Sequence, residues 1–205
     1  MKGIDDMSSK NYFEEYLKND SVLFARIADL PDYQATQADI ESIKNFGTKN
    51  SISGLLEGEN FKVRKNGKVY GFVETKSSNK SDTPNRIGFE KLKQENSEEY
   101  IDLKKKDSVE NCLVIFVTHD SSEICGYYKN VKIFRNRQYA EEYLVYKDEM
   151  IEFFGGDEES YKIQYNFETD DCDAILLSKN QRFKINTKKD GLNFGQSNIK
   201  YVDDG

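Results

Sequence analysis

Tyr128, Asn130 and Lys132 fall at alternate positions in the segment ICGYYKNVKIFRNR. Strict strand alternation places them on one face and puts Tyr127, Val131 and Ile133 on the other. A ring to stack on, an amide that both donates and accepts, and a cation are what a planar, hydrogen-bonding ligand such as a nucleic-acid base requires. In this register Tyr128 lines a pocket and Tyr127, its neighbour and a second base-binding candidate, acts mainly on stability; taken singly, either tyrosine is better read as ordinary core packing with its hydroxyl satisfied at the surface. Gln196, Ser197 and Asn198 form another polar cluster after Gly195, where glycine permits close backbone approach to a ligand; the same residues suit an Asx-type turn equally well. Lys129, Lys132, Arg135 and Arg182 flank these segments without local acidic partners, so they are the candidates for phosphate contact. Arg182 fits an ion pair with the Glu168–Asp173 cluster equally well.

The elements that must position these residues are legible in part. Cys112 to Val117 are apolar on both faces, which predicts a strand at the centre of a sheet, turning through Asp120–Glu123 into the tyrosine-bearing strand. Asn66-Gly67 between FKVRK and KVYGFVE predicts a hairpin, because both residues tolerate positive φ. Helices are predicted over Asn11–Lys18, over Gln37–Phe46 with Thr36 as the cap and Gly47 as the stop, and over Gln138–Phe154 ending at Gly155-Gly156. Strands are predicted at Tyr161–Phe167 and Ala174–Leu177. The polar segment SSNKSDTPN reads as a loop. The sum is an α+β domain around a curved mixed sheet or small β-barrel with flanking helices. Residues 1–50 read as a helical N-terminal extension packed on a domain spanning 51–205.

Among 205 residues the net charge is −7, yet the charge is unevenly spread. From Phe61 to Lys93 nine basic residues face three acids, giving +6, and Lys129–Arg137 and Lys179–Lys189 carry bases only. Acids concentrate in Glu95–Asp107, Glu141–Glu159 and Glu168–Asp173, so a bipolar surface is expected. No apolar run reaches signal-peptide or membrane-spanning length, and a soluble, cytoplasmic protein is expected. Cys112, Cys125 and Cys172 with the single His119 offer no zinc-like spacing, so neither metal nor cofactor is expected.

Four segments in order, GKVYGFVE, LVIFVTH with ICGYYKNVKIFR, ILLSKNQRFKIN and GQSNIKYVDD, resemble a bacterial restriction-associated domain found joined to HNH-type nucleases. That pattern carries tryptophan where Tyr127 stands, and this chain has no tryptophan. The tyrosine-bearing strand also resembles the glycine-led strand of PUA-like domains of the YTH and EVE type, which take a flipped or modified base into an aromatic pocket. The resemblance implies a non-catalytic DNA-binding specificity module of a restriction or antiviral defence system, its nuclease or NTPase effector supplied by another domain or subunit. An HNH centre needs more than one histidine, so His119 alone excludes it from this chain.

Two other readings follow from the residues. Glu59, Glu74 and Lys76 are reminiscent of nucleases that hydrolyse phosphodiesters with two acidic metal ligands and a lysine. A protein-interaction module would use the acidic face from Glu141 to Glu159.

Overall fold

The computed structural model describes residues 21–45, 51–75, 86–186, 189, 194 and 197–202. The predicted helix Asn11–Lys18, the loop SSNKSDTPN (Ser77–Asn85), and Gly47, Lys76, Gly195 and Gln196 lie outside these. Among the described residues, eight strands form one open mixed sheet in the order β2-β5-β4-β3-β1-β8, with β6 and β7 also paired to β4. They are β1 Val22–Ile27, β2 Lys68–Gly71, β3 Ser108–Thr118, β4 Glu123–Tyr143, β5 Lys162–Asp170, β6 Ala174–Leu176, β7 Phe183–Lys184 and β8 Ile199–Tyr201. Four helices accompany them: α1 Gln37–Asn45, α2 Ser51–Glu57, α3 Glu98–Lys104 and α4 Lys147–Phe154. The α+β class and the mixed sheet match the sequence expectation. The strand path has two ends, so the sheet is not a closed barrel.

β1 revises the expected organisation. It runs parallel to β3, from Val22 opposite Leu113 to Ile27 opposite Thr118, and antiparallel to β8. VLFARI is buried almost throughout, as a strand covered on both faces must be. Within the described residues, then, the stretch expected as a helical extension contributes a central strand and one helix. That helix, α1, starts where expected: Thr36 Oγ1 accepts from Asp39 N at 3.3 Å. The Asp39 carboxylate in return accepts from the amides of Asp32, Tyr33, Gln34 and Thr36, a reciprocal cap that extends over the preceding loop.

The predicted helix Gln138–Phe154 is two elements. Its first part continues β4, with Gln138 opposite Tyr165 and Tyr143 opposite Lys162, and only Lys147–Phe154 is helical. Tyr139 and Tyr143 sit four apart, a spacing compatible with a helix, but pairing with β5 decides the outcome. Gly155 ends α4 at φ 74, a positive φ that glycine adopts without a Cβ penalty. Asn66-Gly67 does form a turn, with Gly67 at φ 75 and Val63 bridged to Val69. β2 takes most of its pairing from β5. On its other side, Asn60 donates from Nδ2 to Phe72 O at 2.9 Å and accepts from Phe72 N at 2.8 Å.

Three register shifts interrupt the central hairpin, one of them at Phe116–Val117, and the other two set the facing of Tyr127 and Tyr128. Between the pairs Val109–Ile133 and Cys112–Val131, β3 has one residue more than β4; between Cys112–Val131 and Val114–Tyr128, β4 has one more than β3. The first surplus contains Asn111 at φ 59 and the second Asn130 at φ 50. Asparagine is the non-glycine residue that best tolerates this region, and an extra residue inverts the alternation beyond it. Tyr128 therefore shares the core face with Val131 and Ile133, while Tyr127 points to the other side. The expected facing of Tyr127 and Tyr128 is reversed. The main core lies on the Tyr128 side; a smaller apolar cluster of Val22, Phe24, Leu113, Val117 and Phe194, with Tyr127 packed against it, covers part of the opposite face. Because valine resists positive φ and glycine accepts it, Asn130→Val is expected to lower unfolding free energy by about 1–2 kcal/mol more than Asn130→Gly, read from denaturant midpoints.

Candidate functional site

Tyr128 is fully buried. Its ring meets Phe61 edge-on at 5.1 Å and Phe116 at 4.7 Å, and a Cβ added to Gly71 would lie 2.8 Å from it. Burial holds its phenol well above the ordinary tyrosine range, and its hydroxyl has no hydrogen-bond partner among the described residues. The ring is part of the core and offers no surface for a base. Gly126, two residues earlier, is equally confined: a Cβ there would meet Phe61 at 2.5 Å and the Ile175 carbonyl at 2.6 Å.

The polar candidates have partners that sequence proximity did not reveal. Exposed Asn130 donates to Asp173 Oδ2 at 2.8 Å, and Lys129 pairs with the same carboxylate at 3.4 Å. Lys132 pairs with Glu110 at 3.0 Å. Arg135 is buried and structural: it donates to Lys106 O, Leu103 O and Glu90, and lies over the Phe89 ring. Burial alone would raise Glu90, but the Arg135 hydrogen bond and charge outweigh it and hold the carboxyl below its usual range. Arg182 donates to the carbonyls of Leu177, Leu30 and Pro31 over the Tyr33 ring, so it pins a loop; this is neither the phosphate contact nor the ion pair with Glu168–Asp173 that the sequence suggested. Ser197 makes a local turn with Ile199. Asn198 accepts from Arg26 at 3.2 Å and donates to Glu74 O at 2.7 Å.

Of the set in the nuclease reading, Lys76 lies outside the described residues. Glu59 is buried against Arg64 at 2.7 Å and accepts from Val145 N, which leaves its carboxylate committed within the core. Among the described residues no three His, Cys, Asp or Glu side chains are grouped to hold a metal ion. No described helix is long and apolar enough to cross a membrane.

A different group of residues meets on the sheet face opposite the core. Val69, Ile133 and Phe167 point inward, so Tyr70, Lys132, Phe134 and Glu168 point outward. Tyr70 and Tyr165 stack at 4.2 Å with 19° between their planes, and Phe134 meets Tyr165 edge-on at 5.7 Å. All three rings are half-buried. Lys132 lies over Phe134 at 5.4 Å, and Lys68 reaches Asp170 at 2.8 Å beside Tyr70. The Tyr165 phenol is pushed up to about 12, chiefly by burial and then by Glu168 and Tyr70. Sequence reasoning missed this trio. Alternation carried two residues past Lys132 would have found Phe134, but Tyr70 and Tyr165 meet it only through β5 pairing.

Comparison of the chain with protein-family models, with curated proteins and with solved structures returns no match. The geometry alone therefore ranks the side chains. Arg135→Ala is expected to cost about 3–5 kcal/mol, since it removes a buried guanidinium and strands a half-buried acid and two carbonyls, while Lys132→Ala stays within about 1 kcal/mol. Tyr128→Ala should cost about 3–5 kcal/mol as a large-to-small core change and Tyr127→Ala less; chemical denaturation of the four variants checks this order.

Proposed function

We propose that the chain is a non-catalytic DNA-binding specificity module that recognises a modified or extruded base on the outward face of its sheet. The PUA-like reading and the defence context belong to this proposal and rest on the sequence resemblance. The supporting observation is the trio Tyr70, Phe134 and Tyr165, three half-buried rings in contact on a sheet face, with Lys132 and Lys68 beside them. Aromatic rings on an open strand face are how single-stranded or splayed bases are commonly held, because every base has a flat face to stack. Asn130 and Lys129 belong to the same strand as Phe134, and in this proposal a base or phosphate group would take the place of Asp173 at them. The chemistry of restriction is assigned to a partner domain or subunit, and this chain supplies recognition.

Charge sets the expected character of binding. Lys132 and Lys68 each hold an acid that phosphate must displace, so stacking contributes more than counterion release. Fluorescence anisotropy with plain duplex, duplex carrying modified bases and single strands is expected to give a shallow salt dependence, with a slope no steeper than about −2 for two lysine contacts. Phe134→Ala or Tyr165→Ala should weaken binding by about 1–3 kcal/mol without the unfolding cost of Tyr128→Ala. Equal affinity for modified and plain DNA would remove base modification from the proposal, and no binding of any nucleic acid at low salt would remove the proposal entirely.

A further inference from the structure

The aromatic face carries an acid at its centre. Glu168 on β5 pairs with Tyr70 of β2 on one side and with Lys132 of β4 on the other, so the three form a row across the outward face of the sheet. The Tyr165 hydroxyl hydrogen-bonds to Glu168, and the Tyr165 ring in turn contacts both Tyr70 and Phe134. The carboxylate therefore lies among the same rings that hold a base in the proposal above.

The lysines of the face are committed to other acids. Lys68 Nζ stands 3.9 Å from Glu168, outside hydrogen-bond reach, and 2.8 Å from Asp170. Lys132 pairs with Glu110 at 3.0 Å. A carboxylate only accepts hydrogen bonds, and its roughly four acceptor sites exceed what the single Tyr165 hydroxyl fills. The Glu168 side chain is 24% exposed, so a ligand can reach it. Its negative charge repels phosphate, which keeps the backbone of a nucleic acid away from this point and leaves it to a base. Rings in mutual contact do not enclose a cation as a cage of separated rings does, but their stack can be extended by another flat ring. The ligand that satisfies both the rings and the acid is planar and presents two neighbouring N–H donors.

We propose that Glu168 is the specificity-determining residue of this face and that it selects guanine, the common base whose Watson–Crick edge places two N–H donors, N1–H and N2–H, side by side. Adenine and cytosine present one amino group beside a ring acceptor, and thymine presents one N–H between two carbonyls, so each turns a lone pair toward the carboxylate. The inference rests on the base-binding reading of the same rings and adds to it which base is held.

Fluorescence anisotropy of the intact chain with labelled single strands that differ at one central position tests this. A guanine strand is expected to bind about 10-fold more tightly than an adenine strand, within the range of a bidentate edge contact. Inosine, which keeps N1–H and lacks the N2 amino group, should fall between them. Glu168→Gln preserves size, replaces one acceptor by a donor and removes a charge. The proposal requires this variant to lose the preference for guanine; a carboxylate that is only repulsive predicts instead that every strand tightens by one common factor. The proposal is overturned if the wild type binds guanine and inosine strands alike, if it prefers another base, or if Glu168→Gln keeps the guanine preference. The inosine comparison needs no variant, so it decides even if Glu168→Gln folds poorly. Binding without difference among bases removes the role of Glu168 and leaves the stacking face standing, whereas no binding of any strand removes both.

Discussion

Two asparagines held at positive φ in facing strands, Asn111 in β3 and Asn130 in β4, decide which way the central hairpin looks. β4 runs for 21 residues and pairs with β3, β5, β6 and β7, so its parity is passed to most of the sheet. With the surplus residue at Asn130, Tyr128, Val131, Ile133 and Arg135 all enter the interior, and Lys132 and Phe134 leave it. Removing that surplus would exchange the two sets, burying Lys132 and exposing Ile133, an arrangement the apolar interior cannot accept. The bulge is therefore a requirement of the core, and the aromatic patch on the opposite face is its by-product.

This explains what the sequence could and could not show. Elements governed by local chemistry were readable: the Thr36 cap, the Asn66-Gly67 turn, the stop at Gly155 and the wholly apolar middle of β3. The α+β class followed from them. Features governed by pairing over long separations were not. A positive-φ asparagine inside a strand looks like any other strand residue until a partner strand is counted against it. β1 is a six-residue run whose role depends on β3, some ninety positions away. Arg135 appeared free because its acid, Glu90, lies 45 residues back, and Lys132 appeared free although Glu110 reaches it across the hairpin.

The candidate site was legible to a smaller degree than the fold. Alternation correctly left Asn130 and Lys132 off the core, yet it selected the wrong ring to accompany them. Charge counting along the chain found basic runs, but the sheet register pairs Lys68, Lys129 and Lys132 with acids from neighbouring elements. A surface assembled this way presents aromatic area with locally balanced charge. That is a physically different proposition from a basic groove, and it shifts the weight of recognition from phosphate to base.

The amide of Asn60 has a consequence for assembly. By donating to and accepting from the backbone of Phe72, it imitates one rung of an additional strand, and Arg64 N, bonded to Lys68 O, supplies another. The outer margin of β2 is thus occupied in part by its own chain, at Lys68 and just past the strand at Phe72, which obstructs a peptide or a second subunit from extending the ladder there. A side chain one amide long therefore works against sheet growth at that end, favouring association there through side-chain surfaces over shared backbone hydrogen bonds.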